Sequence, residues 1–299
     1  MAGKIVEAVP NISEGRNTTT IKQVADAVRS VEGVRLLDVN SDRDHNRTVY
    51  TLIGELARVE EASFRLFEQS LQLINMEEQS GAHPRIGAVD VMPFVPVQGV
   101  EMEECVAAAQ RLGERLAEAF ELPIYLYGEA ARLPERKNLA YIRKGQYEVL
   151  KTEINLPARR PDLGPARMHQ TAGASIIGAR MPLIAFNVNL NTNRKGIADQ
   201  IARAVRESSG GFKNVKAMGV YLEDRDLVQV SMNLENYLST PIYRVFNCIK
   251  EEAKHYGVSV LESEIVGLLP QQALLDVANY YLRVAQFETR QVMENHLYE

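Results

Sequence analysis

Apolar and polar positions follow two periods along this chain, and the periods succeed one another in the same order twice. The segment "KIVEAVP" reads as a strand. Ile21, Val24, Ala25 and Val28 then fall on one stripe at helical spacing, predicting a helix from Asn17 to Ser30. Asn17 and Thr18 are its candidate N-caps, because a short polar side chain can accept the orphan N–H groups of the first turn. Two strands follow, "VRLLDVN" and "RTVYTLIGE", and then a helix from Leu56 to Ile74 with Val59, Ala62, Leu66 and Leu73 inward. The valine-rich run from Ala88 to Val97 is too short for a helix and reads as a strand. The order is β-α-β-β-α-β, that of a split, ferredoxin-like unit.

A helix from Met102 to Phe120 and a short strand, "PIYLYGE", come next. From Pro134 to Arg180 the chain is rich in proline, glycine and basic residues with weak periodicity, and reads as a connector. The first order then returns: strand "MPLIAFNVNL", a helix from Gly196 to Glu207, strands "VKAMGVYLE" and "LVQVSMNLEN", a helix from Pro241 to Tyr256, and strand "SVLESEIVGLL". A last helix, "QQALLDVANYYL", and a polar tail complete the chain. The expected fold class is α/β (α+β), with two split units as N-terminal and C-terminal subdomains over residues 1–179, connector included, and 180–299.

Composition agrees with a folded chain of about two domains: 299 residues, 45% hydrophobic and 24% charged. The formal net charge of −5 argues against bulk attraction to nucleic acid or an anionic membrane, while leaving room for a local basic pocket. No apolar run approaches the ~20 residues of a membrane span, and the first residues carry no signal-peptide pattern, so a cytoplasmic protein is expected. Cys105 and Cys248 lie on predicted amphipathic helices outside any CxxC spacing and read as inert core thiols. Gly210 and Gly211 follow a helix without a GxxxxGK[ST] signature, which makes them a cap and loop, not a phosphate cradle.

Chemistry must come from a few polar segments. His255 ends a predicted helix and His296 lies in the tail; His45, His83 and His169 sit in connecting segments, where functional groups concentrate. No HExxH or other close ligand spacing joins them. Pro84 holds His83 extended, and Gly81 and Gly87 leave space around its ring, so the imidazole either faces a cleft at a strand entrance or is bonded to a loop carbonyl. The loop "LLDVNSDRDHNRTVYT" is either a set of turn formers or a polar constellation at a sheet edge, with Asp38 best placed to orient a histidine. The segment "PDLGPARMHQTAGASIIGAR" is either a linker or a loop suited to a ligand with carboxylates and a hydrogen-bonding ring.

Taken in order, "VPNISEGRN", "LLDVNSDRDHNRTVYTLIG", "GAHPRIGAVDVMPFVPV", "PIYLYGEAA", "PDLGP", "GARMPLIAFNVNL" and "VSMNLENY" resemble the glutamate formimidoyltransferase (formiminotransferase) family over essentially the whole chain. The resemblance implies two ferredoxin-like subdomains with a folate cleft between them, in a homodimer. It implies transfer of a formimino group from N-formimidoyl-L-glutamate to N5 of tetrahydrofolate in histidine degradation, with tetrahydrofolate as co-substrate and no metal. The family's catalytic histidine falls on His83. Its folate-contacting segment falls on Gly164, Pro165, Ala166, Arg167, Met168, His169, Gln170, Thr171, Ala172 and Gly173. An acidic residue near the mammalian site aligns with Asn40, and Ala82 stands where many relatives have Glu. Asp38 or Asp42 would then supply the carboxylate. Arg47, Arg85 and Arg180 are candidates for substrate carboxylates, since arginine pairs with them bidentately. The alternatives are a formyltransferase acting on 5-formyltetrahydrofolate and glutamate, or a non-catalytic folate-binding module.

Overall fold

The first helix begins where a cap is expected. In the computed structural model, which describes residues 4–285 and 287–298, the Asn17 side chain accepts N–H bonds from Thr19 and Thr20, and α1 runs from Thr18 to Arg29 with Ile21, Val24, Ala25 and Val28 buried. It lies between the short strands β1 (Ile5–Ala8) and β2 (Asn11–Ile12) and the hairpin of β3 (Val34–Asp42) and β4 (Arg47–Glu55). Helix α2 (Leu56–Leu73) leads to β5 (Val89–Gln98), and α3 (Met102–Phe120) to β6 (Ile124–Gly128). A reciprocal capping box between Glu101 and Glu104 starts α3.

The chain divides into two units, Met1–Arg180 and Met181–Glu299. In the first, β1 and β2 share one place between β4 and β5, and β3 pairs outside β4. These pairings are all antiparallel, giving the ferredoxin-like order β3-β4-β1-β5. The alternation of β3 is reset by a bulge between Leu36 and Asp38. Val34, Leu36 and Val39 consequently pack on the core, and Leu37 is exposed. Asp38, Asn40 and Asp42 share the opposite face, since residues two apart in a strand point the same way.

The segment expected to be a connector is not one. It contains two short helices, α4 (Leu139–Ile142) and α5 (Gln146–Glu153), and a strand, β7 (Ser175–Ala179). Strand β7 inserts between β5 and β6, parallel to both, and extends the sheet. Helices α1 to α3 cover one face around Val6, Leu52, Phe67 and Leu112. On the other face Ile142 of α4 and Leu150 of α5 pack with Ile86, Val91, Tyr125 and Ile176. Covered on both faces, β5 is buried from Val89 to Val95. Arg180 belongs to this first unit, its N–H donating to the Phe94 carbonyl at 3.1 Å.

The second unit repeats the split order with β8 (Ile184–Leu190), α6 (Lys195–Val205), β9 (Val215–Leu222), β10 (Leu227–Leu234), α7 (Ile242–His255) and β11 (Val260–Val266), followed by α8 (Gln271–Leu282). Its sheet runs β11-β8-β10-β9, all antiparallel. Val188, Leu190, Val230, Ile201 and Val245 form its core. Among the described residues no helix is long and apolar enough to cross a membrane.

Strand β5 and the segment before β7 meet at Gly87, where an added methyl would stand 2.0 Å from the Ala174 carbonyl oxygen and 2.6 Å from that of Ala172. Gly87→Ala is therefore expected to destabilise the first unit by about 3 kcal/mol, the upper range for overpacking. Denaturant titration would show it as a lower midpoint, and an unchanged midpoint would refute it.

Candidate functional site

Three separated stretches converge at one end of the first sheet: the β2–α1 loop, the β3–β4 hairpin, and the loop between α2 and β5. Asn46 ties them together. Its backbone is left-handed (φ 49°), a conformation that Asn tolerates, and its side chain is buried. The amide oxygen accepts the Gly15 N–H at 2.9 Å, while the amide nitrogen donates to the Ser80 carbonyl at 3.0 Å and to Gln79 Oε1. Gln79 donates in turn to Glu14 at 3.1 Å, whose other oxygen accepts the N–H groups of Arg16 and Asn17. Close approach requires glycine twice. A methyl at Gly15 would lie 2.2 Å from the Asp42 carbonyl oxygen, and one at Gly81 2.3 Å from that of His45. With Ala82 N–H bonded to the Asp44 carbonyl at 3.2 Å, His83 is delivered beside the hairpin.

The His83 side chain is 9% exposed, with its ring centroid 6.5 Å from that of His45. Among the described residues its ring has no hydrogen-bond partner, and Asp38 does not orient it. Its neighbours are cations. Burial first, and then Arg143, Arg47, His45 and Arg85, push its pKa down to about 3. Both ring nitrogens are thus not protonated together at neutral pH, and one remains a free acceptor.

The arginines differ in their commitments. Arg85 donates to Glu148 at 2.8 Å, to the Gln79 carbonyl at 2.8 Å and to Gln146 at 3.2 Å; it holds α5 to the loop and is spent on protein partners. Arg143, just past α4, pairs with Asp90, which also accepts the Ile86 N–H at 2.9 Å. Asp90 is fully enclosed, and burial raises its pKa despite that partner. The Arg47 side chain makes no hydrogen bond or ion pair among the described residues, and its pKa is lowered by burial and by Arg143. The Nε groups of Arg47, Arg85 and Arg143 are all buried without a partner. A half-enclosed guanidinium with unused donors beside a second cation has the chemistry to pair with a carboxylate. Arg180 lies elsewhere on the sheet, where its charge acts on Glu7.

Asp42 serves a different histidine. Its Oδ1 accepts the N–H groups of Asp44 at 2.9 Å and His45 at 2.8 Å, and its Oδ2 lies 2.9 Å from His45 Nδ1. The N–H bond from His45 leads the causes that lower the Asp42 pKa. Asp38 and Asn40 stand on the same face of β3, paired with Thr51 and Val49 of β4.

The segment from Gly164 to Gly173 is a loop stitched to the strand entrance that His83 precedes. The Met76 N–H donates to the Thr171 carbonyl at 2.7 Å and the Ala88 N–H to that of Ala172 at 2.8 Å, while the Ala174 N–H donates to the Ile86 carbonyl at 3.0 Å. Gly164 and Gly173 are left-handed, and methyls there would meet the carbonyl oxygens of Leu122 at 2.4 Å and Ile86 at 2.5 Å. His169 Nδ1 accepts the Ala172 N–H at 3.0 Å, which places its ring proton on Nε2; burial lowers its pKa. Arg167 pairs with Glu121 at the surface, Met168 packs inward, and Pro165, Ala166 and Gln170 complete the turn. Among the described residues no group of three or more His, Cys, Asp or Glu side chains could hold a metal ion.

The depressed His83 pKa has a consequence for stability. An unfolded chain takes up this proton as pH falls through ~6.5, whereas the folded chain refuses it until about 3. The contribution of His83 is therefore whole above about 6.5 and is lost progressively as pH falls toward 3. Unfolding free energies compared between pH 7 and 4.5 should fall less for His83→Gln than for the wild type. Equal falls would contradict the cationic, enclosed site.

The Formiminotransferase domain, N-terminal subdomain, matches residues 5–180, and the Formiminotransferase domain matches residues 185–297. A glutamate formimidoyltransferase of Streptococcus pyogenes serotype M1 is 47% identical over 295 residues, covering 98% of this chain and 99% of its own. One from Thermoplasma acidophilum is 47% identical over 292 residues, covering 97% and 96%. The formimidoyltransferase-cyclodeaminase of Mus musculus is 43% identical over 93% of this chain and 52% of its own. Matched in both halves, and end to end by relatives of its own length, the chain belongs to the formiminotransferase family.

Proposed function

We propose that the protein is a glutamate formimidoyltransferase, moving the formimino group of N-formimidoyl-L-glutamate to N5 of tetrahydrofolate. The observation that carries the mechanism is an enclosed His83, without a hydrogen-bond partner among the described residues, beside arginines with unused donors. N5 attacks the amidine carbon, a tetrahedral intermediate forms, and glutamate leaves through its nitrogen. His83 takes the proton that N5 loses. In the free site such a base is weak, because each neighbouring guanidinium disfavours the imidazolium. A bound carboxylate on Arg47 offsets those charges and raises the basicity of His83 as substrate arrives. The base is thereby strengthened only in the loaded site.

Arg47 is the receptor for a glutamate carboxylate of donor or folate, whereas Arg143 is anchored by Asp90 and fixes the sign of the local field. Asp38 and Asn40 flank the substrate from the exposed face of β3. The loop from Gly164 to Gly173 holds the folate, offering His169 Nε2–H, the Gln170 amide and exposed backbone near the His83 entrance. A cytoplasmic homodimer, working on small molecules in histidine degradation without a metal, is inferred from the family resemblance.

His83→Ala is expected to lower turnover by roughly 10²–10⁴-fold, the range for a general acid–base group, in a protein that remains folded at pH 7. Folate products formed from formiminoglutamate and tetrahydrofolate, separated by chromatography, give the rate; wild-type turnover in the folded variant would end the assignment. Arg47→Ala should raise KM for formiminoglutamate by about 10–100-fold, the loss of one charge-assisted contact. An unchanged KM would move the carboxylate to another residue.

A further inference from the structure

We propose that His45, held by Asp42, is the acid that protonates the departing glutamate nitrogen. The inference rests on the formimino-transfer reading and divides its proton movements between two histidines. Transfer breaks a carbon–nitrogen bond, and the electron pair goes to the glutamate nitrogen, which must receive a proton as it leaves. The new bond joins the folate N5 to the same carbon, and that nitrogen gives up a proton. One ring suited to accept is poorly placed to donate in the same step, and the site contains two rings.

The geometry fits such a pair. The two nitrogens on one tetrahedral carbon are about 2.4 Å apart, and a base and an acid each sit about 3 Å from their own nitrogen. The acid and base nitrogens are then roughly 3–8 Å apart, a span within reach of two rings whose centroids are 6.5 Å apart. Their surroundings differ in kind. His83 is enclosed, faces Arg143 from the end of α4, Arg47 and His45 from the hairpin and Arg85 from its own loop, and has no carboxylate partner. His45 is half exposed and faces Asp42 on its own hairpin and His83 across the gap.

Asp42 is fixed by two backbone N–H groups, so its Oδ2 has a defined position 2.9 Å from His45 Nδ1. Nδ1 is thereby the donor to the carboxylate, and Nε2 is the nitrogen left for substrate. This is the relation by which a carboxylate sets the tautomer and direction of a working imidazole. After transfer His83 carries the N5 proton, which the surrounding guanidiniums drive back to water as the products leave, and His45 has lost one. Exposure of the His45 ring lets it recover a proton from water before the next donor binds.

The test is the pH dependence of kcat and kcat/KM for formiminoglutamate with tetrahydrofolate in wild type, His45→Gln and Asp42→Asn. His45→Gln should lower kcat by about 10²-fold with both KM values within about threefold, and should abolish the alkaline fall in rate. Asp42→Asn keeps the ring and loses the carboxylate that fixes its tautomer, so its kcat should also fall, by about tenfold or more, with both KM values unchanged. A His45→Gln enzyme with wild-type kcat, an unchanged alkaline limb, or an effect confined to KM would overturn the assignment. Should His45→Gln fail to fold, the kcat of Asp42→Asn decides alone: lowered it supports the role of His45, unchanged it overturns it. No formimino transfer by the wild type would sink the functional reading itself, whereas transfer with an unaltered His45→Gln profile would sink only the role of His45.

Discussion

Everything placed at this site depends on one buried carboxamide. Asn46 satisfies the Gly15 N–H with its oxygen and the Ser80 carbonyl with its nitrogen. An aspartate could not supply the second bond, and no apolar residue could supply either. Because both partners are backbone, the contact fixes loop positions independently of the loops' own side chains. The left-handed turn at Asn46 then returns the chain into β4 with Arg47 next in line. A buried polar group satisfied on every side specifies one arrangement, and leaving it half satisfied would be expensive.

The second constraint is electrostatic. Three arginines crowd an enclosed histidine, and one buried carboxylate, Asp90, lies among them. Burying like charges with unused donors opposes folding, so the arrangement makes poor sense as a device for stability alone. It makes sense where an anion completes it. The protein as a whole is acidic, with a formal charge of −5; the positive potential is local, set by enclosure and not by composition.

The element order was legible because each split unit pairs one face of a helix with one face of a strand, and both periods survive in the sequence. Strand β7 was not. Its "SIIGA" is buried at every position, which removes alternation, and it lies in a stretch dominated by glycine, proline and arginine. The short helices α4 and α5 have too few turns to show a stripe. At the site, His83, Arg47 and the hairpin stood out because glycine, proline and clustered polar residues mark them. Arg85 stood out equally, yet its partners Gln146 and Glu148 come from α5 and could not be foreseen. Arg143 had no signal at all, since it follows a single helical turn far along the chain. The pairing of Asp42 with His45, not with His83, depends on the Asp42 turn and is a matter of local backbone geometry.

The insertion of β7 also bears on the order in which the molecule can assemble. Its two sheet neighbours, β5 and β6, precede it by many residues, and both pairings are parallel. A strand whose two neighbours both precede it in the chain can pair only once they are in place. The antiparallel core of β1, β3, β4 and β5 is complete by Gln98, whereas the Gly164–Gly173 loop rests on the β5 entrance that this core provides. The region proposed to hold folate is thus built onto a sheet that the first hundred or so residues can complete without it.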